Sequence, residues 1–156
     1  MSRVLIVAEH LDGQLGSGTA RCVTAARRIE GAEVHVAVLA ADVAGVAAQA
    51  AAIQGVAKVL TVQRPENAQA LAATLAPQVA KLAAGYTHLF APSSTFGKDL
   101  LPRVAALLGR SQVSELMAVE AAHRFRRPTY AGNAIVTVEV PADALVVATI
   151  RTASFE

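Results

Sequence analysis

The first loop of the chain holds the glycines that could bind a nucleotide. Gly13, Gly16 and Gly18 follow an apolar run and precede a segment with helical spacing. A dinucleotide-binding fingerprint containing Gly16 and Gly18 would need a third glycine at position 21, where the chain has Arg21. We therefore favour a flexible turn that leads into a helix over a phosphate-binding loop.

A second loop ends in Gly97-Lys98, the closing pair of a phosphate loop. The match fails on both sides, because Asp99 stands where Ser or Thr is required and Pro92 stands where the first glycine belongs. Free N–H groups at the start of the helix after Gly97 could still hold an anion. For Lys98 we favour a solvated charge or an interface charge.

None of the four histidines is spaced with another histidine, a cysteine or a carboxylate as a metal site requires. His35 and His88 fall within apolar strand segments, which favours a packing role for both. His10 follows directly after a strand and is the one histidine placed like a site residue, although packing is favoured there too. We expect no metal-binding residue.

The candidate nucleophiles also lack partners. Ser93 and Ser94 have no candidate base nearby in the sequence, and no Gly-x-Ser-x-Gly elbow is present. Cys22 falls on the apolar face of a predicted helix, where a thiol is normally inert packing. We therefore expect no catalytic residue and predict that the chain is not an enzyme by itself.

Length and composition restrict the function classes further. The 156 residues suit a single domain, with 54% hydrophobic residues and only 4% aromatic residues. The net charge of +2 comes without a basic stripe or an aromatic platform, which argues against nucleic-acid binding. No apolar run is long enough for a transmembrane helix, and one cysteine excludes an internal disulfide. A cytoplasmic protein without a targeting segment or membrane partner is expected.

Strands and helices are predicted to alternate along the first two-thirds of the chain. Continuous apolar runs predict buried strands at residues 3–9, 33–39, 58–62 and 88–92. Apolar residues spaced by three and four predict helices from the capping Thr19 to Gly31, and at 43–54, 71–82 and 99–108. Pro77 predicts a kink or break in the third helix, and Pro102 is placed in the first turn of the fourth. The alternation predicts an α/β domain with a doubly wound, mostly parallel sheet and helices on both faces.

The pattern changes in the last third of the chain. Residues 113–119 are predicted as a fifth strand, and residues 134–140 and 145–149 as two more, separated by the turn residues Pro141 and Asp143. We expect the last two strands to form a C-terminal antiparallel hairpin added to the sheet. No repeat or linker is indicated, so residues 1–156 are interpreted as a single domain.

The segment 125–134 is unusually rich in residues with special properties. It holds two of the six aromatic residues, a proline that restricts the residue before it, and a Gly-Asn pair suited to a tight turn. One interpretation is a loop that crosses the sheet and needs these residues to turn. The other is a protein interface, because Arg and Tyr are frequent anchors of buried contacts between proteins.

Several ordered motifs give the chain a family resemblance. The sequence RPTYAGNA at 127–134 resembles the RPIYAGNA segment of the electron-transfer flavoprotein α subunit, with Thr129 in place of the usual Ile. FGKDLLPRVA at 96–105 resembles the family's FGK-x-x-x-PRVA stretch, and IRTASF at 150–155 resembles its R-x-x-x-F close. The opening VLIVAEH at 4–10 is also similar, so the resemblance spans the chain.

The resemblance implies a heterodimeric electron carrier with FAD, which takes electrons from dehydrogenases and passes them to a quinone oxidoreductase or another acceptor. The chain resembles the N-terminal domain of the α subunit, which implies an adenine-nucleotide α-hydrolase-like fold. In the family, most FAD contacts come from the C-terminal α domain, which is expected to be absent from this chain. The β subunit of the family's heterodimer carries a structural AMP. Because no FAD-binding motif matches here, we expect no cofactor-binding residue and no tight FAD binding.

By resemblance, the domain is expected to pack against the β subunit and to support the flavin domain. The interface candidates are Phe96, Gly97, Lys98, Arg103, Phe125, Arg127, Pro128, Tyr130, Gly132 and Asn133. Two alternatives stay open: a stand-alone nucleotide-binding domain of universal-stress-like fold, and a purely structural oligomerisation domain. The pathway is open as well, between fatty acid β-oxidation and a nitrogen-fixation type.

Overall fold

Strands and helices alternate along most of the chain, which a computed structural model describes over residues 1–156. The strands are β1 (Arg3–Val7), β2 (His10–Leu11), β3 (Gln14–Leu15), β4 (Glu33–Ala40), β5 (Val56–Gln63), β6 (His88–Pro92), β7 (Gln112–Leu116), β8 (Ala118–Ala121), β9 (Arg124–Thr129), β10 (Ala134–Glu139) and β11 (Val146–Ile150). The helices are α1 (Gly18–Ala26), α2 (Ala44–Ala51), α3 (Ala72–Leu82) and α4 (Thr95–Leu107). Short 3₁₀ helices cover Pro65–Ala68, Tyr130–Gly132 and Thr152–Ser154.

Six parallel strands form the central sheet, in the order β5-β4-β1-β6-β11-β7. Successive side chains of a strand point to opposite faces, so a strand that is covered on both faces must be apolar throughout. In β1, Val4 and Ile6 pack into one core, and Leu5 and Val7 pack into the other. The prediction of a doubly wound parallel sheet is confirmed.

Each face of the sheet carries its own pair of helices. The first core contains Cys22 and Ala26 of α1 together with Val46 and Ala50 of α2. The second core contains side chains of α3 and α4, namely Ala72, Leu75, Ala76, Val79, Leu100, Leu101, Val104 and Ala105. None of these helices is both long enough and apolar enough to cross a membrane.

The last strand of the sheet lies between β6 and β7 and is parallel to both. The expected pairing of residues 134–140 with residues 145–149 is therefore wrong. β11 is buried at all five positions, so it needs apolar side chains against both faces and a hydrogen-bonding strand at each edge. β10, which has exposed residues, instead pairs antiparallel with β9, so an antiparallel hairpin is present with a different second strand.

A separate sheet of three antiparallel strands, β8, β9 and β10, occupies the connection between β7 and β11. Its anchor is Phe125, whose ring is fully buried in the first core beside Val113 and Leu116. Val119 and Val138 pack against the same core. The small sheet therefore covers the part of the first face that lies beyond α1 and α2.

Three local expectations are corrected. The predicted strand 113–119 is split, because Glu115 has a φ of 54° and the chain leaves the central sheet at Leu116. Thr19 does not cap α1, because the helix begins at Gly18 and the Thr19 hydroxyl is buried without a hydrogen-bond partner. α3 runs unbroken through Pro77.

The fourth helix begins four residues before the expected start. Ser94 is its N-cap, and the Ser94 hydroxyl accepts a hydrogen bond from the N–H of Gly97 at 3.3 Å. Pro102 therefore lies inside the helix instead of in its first turn. The early start is allowed by Gly97, because the space of a side chain there is occupied by the carbonyl oxygen of Pro92.

His88 joins the two sheets. Its side chain is fully buried, and the Nε2–H donates to the carbonyl of Ala122, in the turn between β8 and β9, at 2.5 Å. The ring also meets Phe125 and Phe90 edge-on. Burial lowers the pKa of His88 below its usual value; the bond to the Ala122 carbonyl opposes this shift and the nearby His123 adds to it.

We predict that Gly97→Ala lowers the free energy of unfolding by about 3 kcal/mol, because the new methyl group would overlap the Pro92 carbonyl, a backbone atom that cannot swing away. Gly45→Ala is the matched control, because its methyl group would meet only the Gly13 carbonyl at 3.7 Å. That change in α2 should raise the stability by about 0.5 kcal/mol. Urea denaturation of both variants tests the prediction, and equal stabilities would contradict the packing at Gly97.

We predict that the chain loses stability between pH 7.5 and pH 5.5 through His88. Since the pKa of His88 is lower in the folded chain than in the unfolded chain, the unfolded chain binds the proton first as the pH falls. His88→Gln keeps a donor for the Ala122 carbonyl but does not titrate, so its stability should fall less over this range. Urea denaturation at both pH values measures the difference, and parallel losses would refute the assignment to His88.

Candidate functional site

Polar side chains gather at the carboxyl edge of the central sheet, where parallel α/β sheets bind their ligands. Glu9 follows β1 and accepts a hydrogen bond from the Ser94 hydroxyl at 2.8 Å. Ser93, at the end of β6, donates to Glu115 at 3.1 Å. Two carboxylates thus lie beside the N-terminus of α4, where the helix dipole favours negative charge.

Glu115 is the centre of this network. Its left-handed backbone places the side chain toward Lys98, whose ammonium group lies 3.1 Å away, and its own N–H donates to the Thr149 hydroxyl at 2.9 Å. The hydrogen bond from Lys98 lowers the pKa of Glu115 below its ordinary value, against an opposing effect of partial burial; Ser93 and the charge of Arg151 lower it further. Glu115 is therefore ionised at neutral pH and links β7, α4 and β11.

The end of β9 and the turn after it approach this network from the small sheet. The Nε–H and an Nη2–H of Arg127 donate to the carbonyl and the hydroxyl of Ser114, at 2.8 and 3.0 Å. Tyr130 and Ala131 then adopt left-handed conformations, with φ of 49° and 54°. Such a conformation costs a residue with a side chain about 1–2 kcal/mol. Tyr130 regains little by burial, since it is 83% exposed.

An open cavity of about 510 Å³ lies between this turn and the central sheet. Its walls are Glu115, Arg127, Pro128, Thr129, Tyr130, Ala131, Gly132 and Arg151. Arg151 follows β11 directly and donates from Nη1 to the Ser154 hydroxyl at 2.8 Å. The cavity is polar and can accept a side chain or a small charged group.

Most of the interface candidates from the 125–134 segment lie together at this cavity. Arg127, Pro128, Tyr130 and Gly132 line it, and Asn133 is adjacent, donating from its side chain to the Tyr130 carbonyl at 2.9 Å. Lys98, from the other motif, is joined to the cavity through its ion pair with Glu115.

Other candidates lie elsewhere. Phe125 and Gly97 are buried inside the chain, where they contact its own core and backbone, and their part in an interface stays a prediction. Phe96 is half-buried against the second core. Arg103 is exposed on α4 but does not line the cavity.

Four residues of the cavity wall, Glu115, Thr129, Ala131 and Arg151, were not among the sequence candidates, and two of them, Glu115 and Arg151, lie outside the 125–134 segment. Glu115 lies inside a segment with the pattern of a strand, and no glycine or other turn residue beside it predicts a left-handed backbone there. Arg151 lies in the IRTASF motif, and its position next to a buried strand was the available signal.

The residues examined for other chemistry have structural partners. The ring of His10 donates from Nε2 to the Leu39 carbonyl at 2.8 Å and so ties β2 to the end of β4. Cys22 is fully buried, and burial raises the pKa of its thiol, which makes the thiolate unfavourable. A second open cavity, beside His10, is lined by Asp12 and Asp42 and by no lysine or arginine.

The N-terminus of α4 does not fit the phosphate groups of a nucleotide or of FAD. A phosphate at the N-terminus of α4 would meet the carboxylates of Glu9 and Glu115, which already take hydrogen bonds from Ser94 and Ser93. The space beside Gly97, where a phosphate loop would open, is filled by the Pro92 carbonyl. The N-terminus of α4 is therefore unsuited to a phosphate group.

Comparison with known proteins agrees with the resemblance of the motifs. The family described as "Electron transfer flavoprotein domain" matches residues 4–156. The electron transfer flavoprotein subunit alpha of Pseudomonas aeruginosa is 44% identical over 153 residues, which are 98% of this chain and 49% of that protein. The Paracoccus denitrificans subunit alpha is 41% identical over 154 residues, covering 98% of this chain and 49% of the relative.

A mitochondrial electron transfer flavoprotein subunit alpha from Dictyostelium discoideum is 40% identical over 162 residues, covering 99% of this chain and 45% of the relative. The chain thus spans about half the length of the curated relatives it matches. These matches cover the sheet, the small sheet and the cavity together. The chain belongs to the electron transfer flavoprotein family, as a relative of its alpha subunits.

Proposed function

We propose that residues 1–156 form one domain that serves as the scaffold and subunit interface of an electron transfer flavoprotein α subunit. In this role the domain performs no reaction of its own. It holds a β subunit in place and supports the part of the complex that carries the flavin.

The observation that carries the proposal is the exposed turn Tyr130–Gly132. Its two left-handed residues with side chains are energetically costly, and Tyr130 is exposed instead of packed within the chain. A contact with another protein would bury the ring and offset that cost. Tyrosine beside arginine is also the composition that interface centres favour.

The complex that we propose contains FAD, held mainly by a C-terminal α domain, and passes electrons from flavoprotein dehydrogenases to a quinone oxidoreductase or another acceptor. The partners of this domain are then the β subunit and the C-terminal α domain. We place the complex in the cytoplasm, with which a single buried, free cysteine is compatible.

We predict that the chain binds its β subunit in a 1:1 complex and that Tyr130→Asn weakens the binding at least tenfold, about 1.4 kcal/mol. Asparagine tolerates the left-handed backbone, so the turn should keep its shape while the ring is lost. Leu107→Ser is the control, since Leu107 is 56% exposed at the far end of α4. Titration calorimetry with the purified β subunit measures all three affinities.

A wild-type chain that shows no binding to the β subunit would refute the proposed function. Equal weakening by Leu107→Ser and Tyr130→Asn would place the contact elsewhere. Stable self-association of the chain, measured by sedimentation without the β subunit, would favour the alternative of a structural oligomerisation domain.

We predict that the chain purified alone retains no FAD, because the carboxylates of Glu9 and Glu115 lie beside the N-terminus of α4, where they would repel its phosphates. The absorbance spectrum of the purified protein after addition of FAD and gel filtration gives the answer. A yellow protein with stoichiometric flavin would contradict the prediction.

A further inference from the structure

Two guanidinium groups at the cavity lack a carboxylate partner. Arg127 donates to Ser114, and Arg151 donates to Ser154; neither forms an ion pair. The neighbouring arginines of the small sheet differ, because Arg124 lies 3.1 Å from Glu139 and Arg126 lies 3.8 Å from Glu120. The fold therefore supplies carboxylates to the outer arginines and leaves the two cavity arginines without one.

The one carboxylate in the cavity wall cannot offset the charge of both arginines. Glu115 is engaged by the Lys98 ammonium group at 3.1 Å and by the Ser93 hydroxyl at 3.1 Å. Three cationic groups, Lys98, Arg127 and Arg151, thus stand against a single anionic one. The cavity has an excess of positive charge that an incoming anion would offset.

Arg127 is held ready for such an anion. Its Nε–H and one Nη2–H are used by Ser114, which fixes the plane of the guanidinium group. Of its five N–H donors, three remain for a ligand. A side chain that is already ordered loses little conformational entropy when it binds.

From this geometry we propose that the cavity between Arg127 and Arg151 is a carboxylate-binding site, and that its occupant is an acidic side chain of the β subunit. The proposal rests on the proposed function and adds the chemistry of the contact. A planar carboxylate matches the donor fork of arginine. A single negative charge also suits a cavity whose wall contains Glu115, which would repel a doubly charged phosphate. Tyr130 is exposed at the rim of the cavity, and an exposed ring there favours a protein surface over a free small anion as the occupant.

The test compares Arg151→Gln and Arg151→Glu with Arg28→Gln in binding to the β subunit. Arg151 contributes one solvent-exposed side-chain hydrogen bond, to Ser154, so its loss should leave the fold intact, which circular dichroism checks. Arg28 is exposed after α1, whose end lies at the opposite edge of the sheet. Calorimetry at low and at high salt gives the affinities.

We expect Arg151→Gln to weaken binding at least tenfold at low salt, Arg151→Glu to weaken it further, and Arg28→Gln to stay within twofold of the wild type. The affinity of Arg151→Gln should also depend less on salt than that of the wild type. Affinities of both Arg151 variants within twofold of the wild type would overturn the carboxylate site while leaving the proposed function intact.

A small anion is the competing occupant. Inorganic phosphate titrated into the chain alone should give no saturable binding at micromolar concentration. Saturable binding that disappears in Arg151→Gln would overturn the proposal in favour of a small-anion site. A wild-type chain that does not bind the β subunit would refute both this proposal and the proposed function. The outcomes for the Arg151 variants and for phosphate, by contrast, bear on the carboxylate site alone.

Discussion

The position of β11 between β6 and β7 determines much of the rest of the structure. A strand that is buried on both faces and paired at both edges is almost wholly apolar, and in Val146–Ile150 the one polar side chain, Thr149, accepts a hydrogen bond from the Glu115 N–H. The chain therefore leaves the sheet after β7 and forms the small sheet before it returns. The left-handed Glu115 marks the departure, and Arg151 follows the return. Because β7 and β11 are neighbours, the two residues line one cavity with the turn after β9.

The charges at the carboxyl edge explain why a fold that commonly binds nucleotides is arranged differently here. Glu9 and Glu115 lie where a phosphate would benefit from the dipole of α4, and serine hydroxyls hold both. The positive charge is displaced to Arg127 and Arg151, away from that helix terminus. At the N-terminus of α4, the two carboxylates are thus held by hydroxyl groups and Lys98 of the chain itself, whereas the cavity with Arg127 and Arg151 attracts anions.

The sequence predicts the elements that are buried on two faces, because a continuous apolar run has few other solutions. β1, β4 and β6 were found with nearly the right bounds. The partner of β10 was not, because adjacency in the chain favours a hairpin with β11, and only the complete burial of Val146–Ile150 places that strand inside the parallel sheet. The start of α4 was missed because Pro102 suggested a first turn, although Ser94 is a suitable N-cap. At the cavity, the residue types of the 125–134 segment are enough to predict its loop residues as interface candidates. Glu115 cannot be found in this way, because only the folded chain brings it to the cavity.

We propose that the turn after β9 docks a β subunit. Amide hydrogen exchange, measured by mass spectrometry on the chain alone and in the presence of saturating β subunit, tests it residue by residue. We expect slower exchange at residues 129–133 and 151–152 on binding, and unchanged exchange at residues 107–110 on the opposite edge of the sheet. Unchanged exchange at residues 129–133 in a sample where the complex has formed would contradict it.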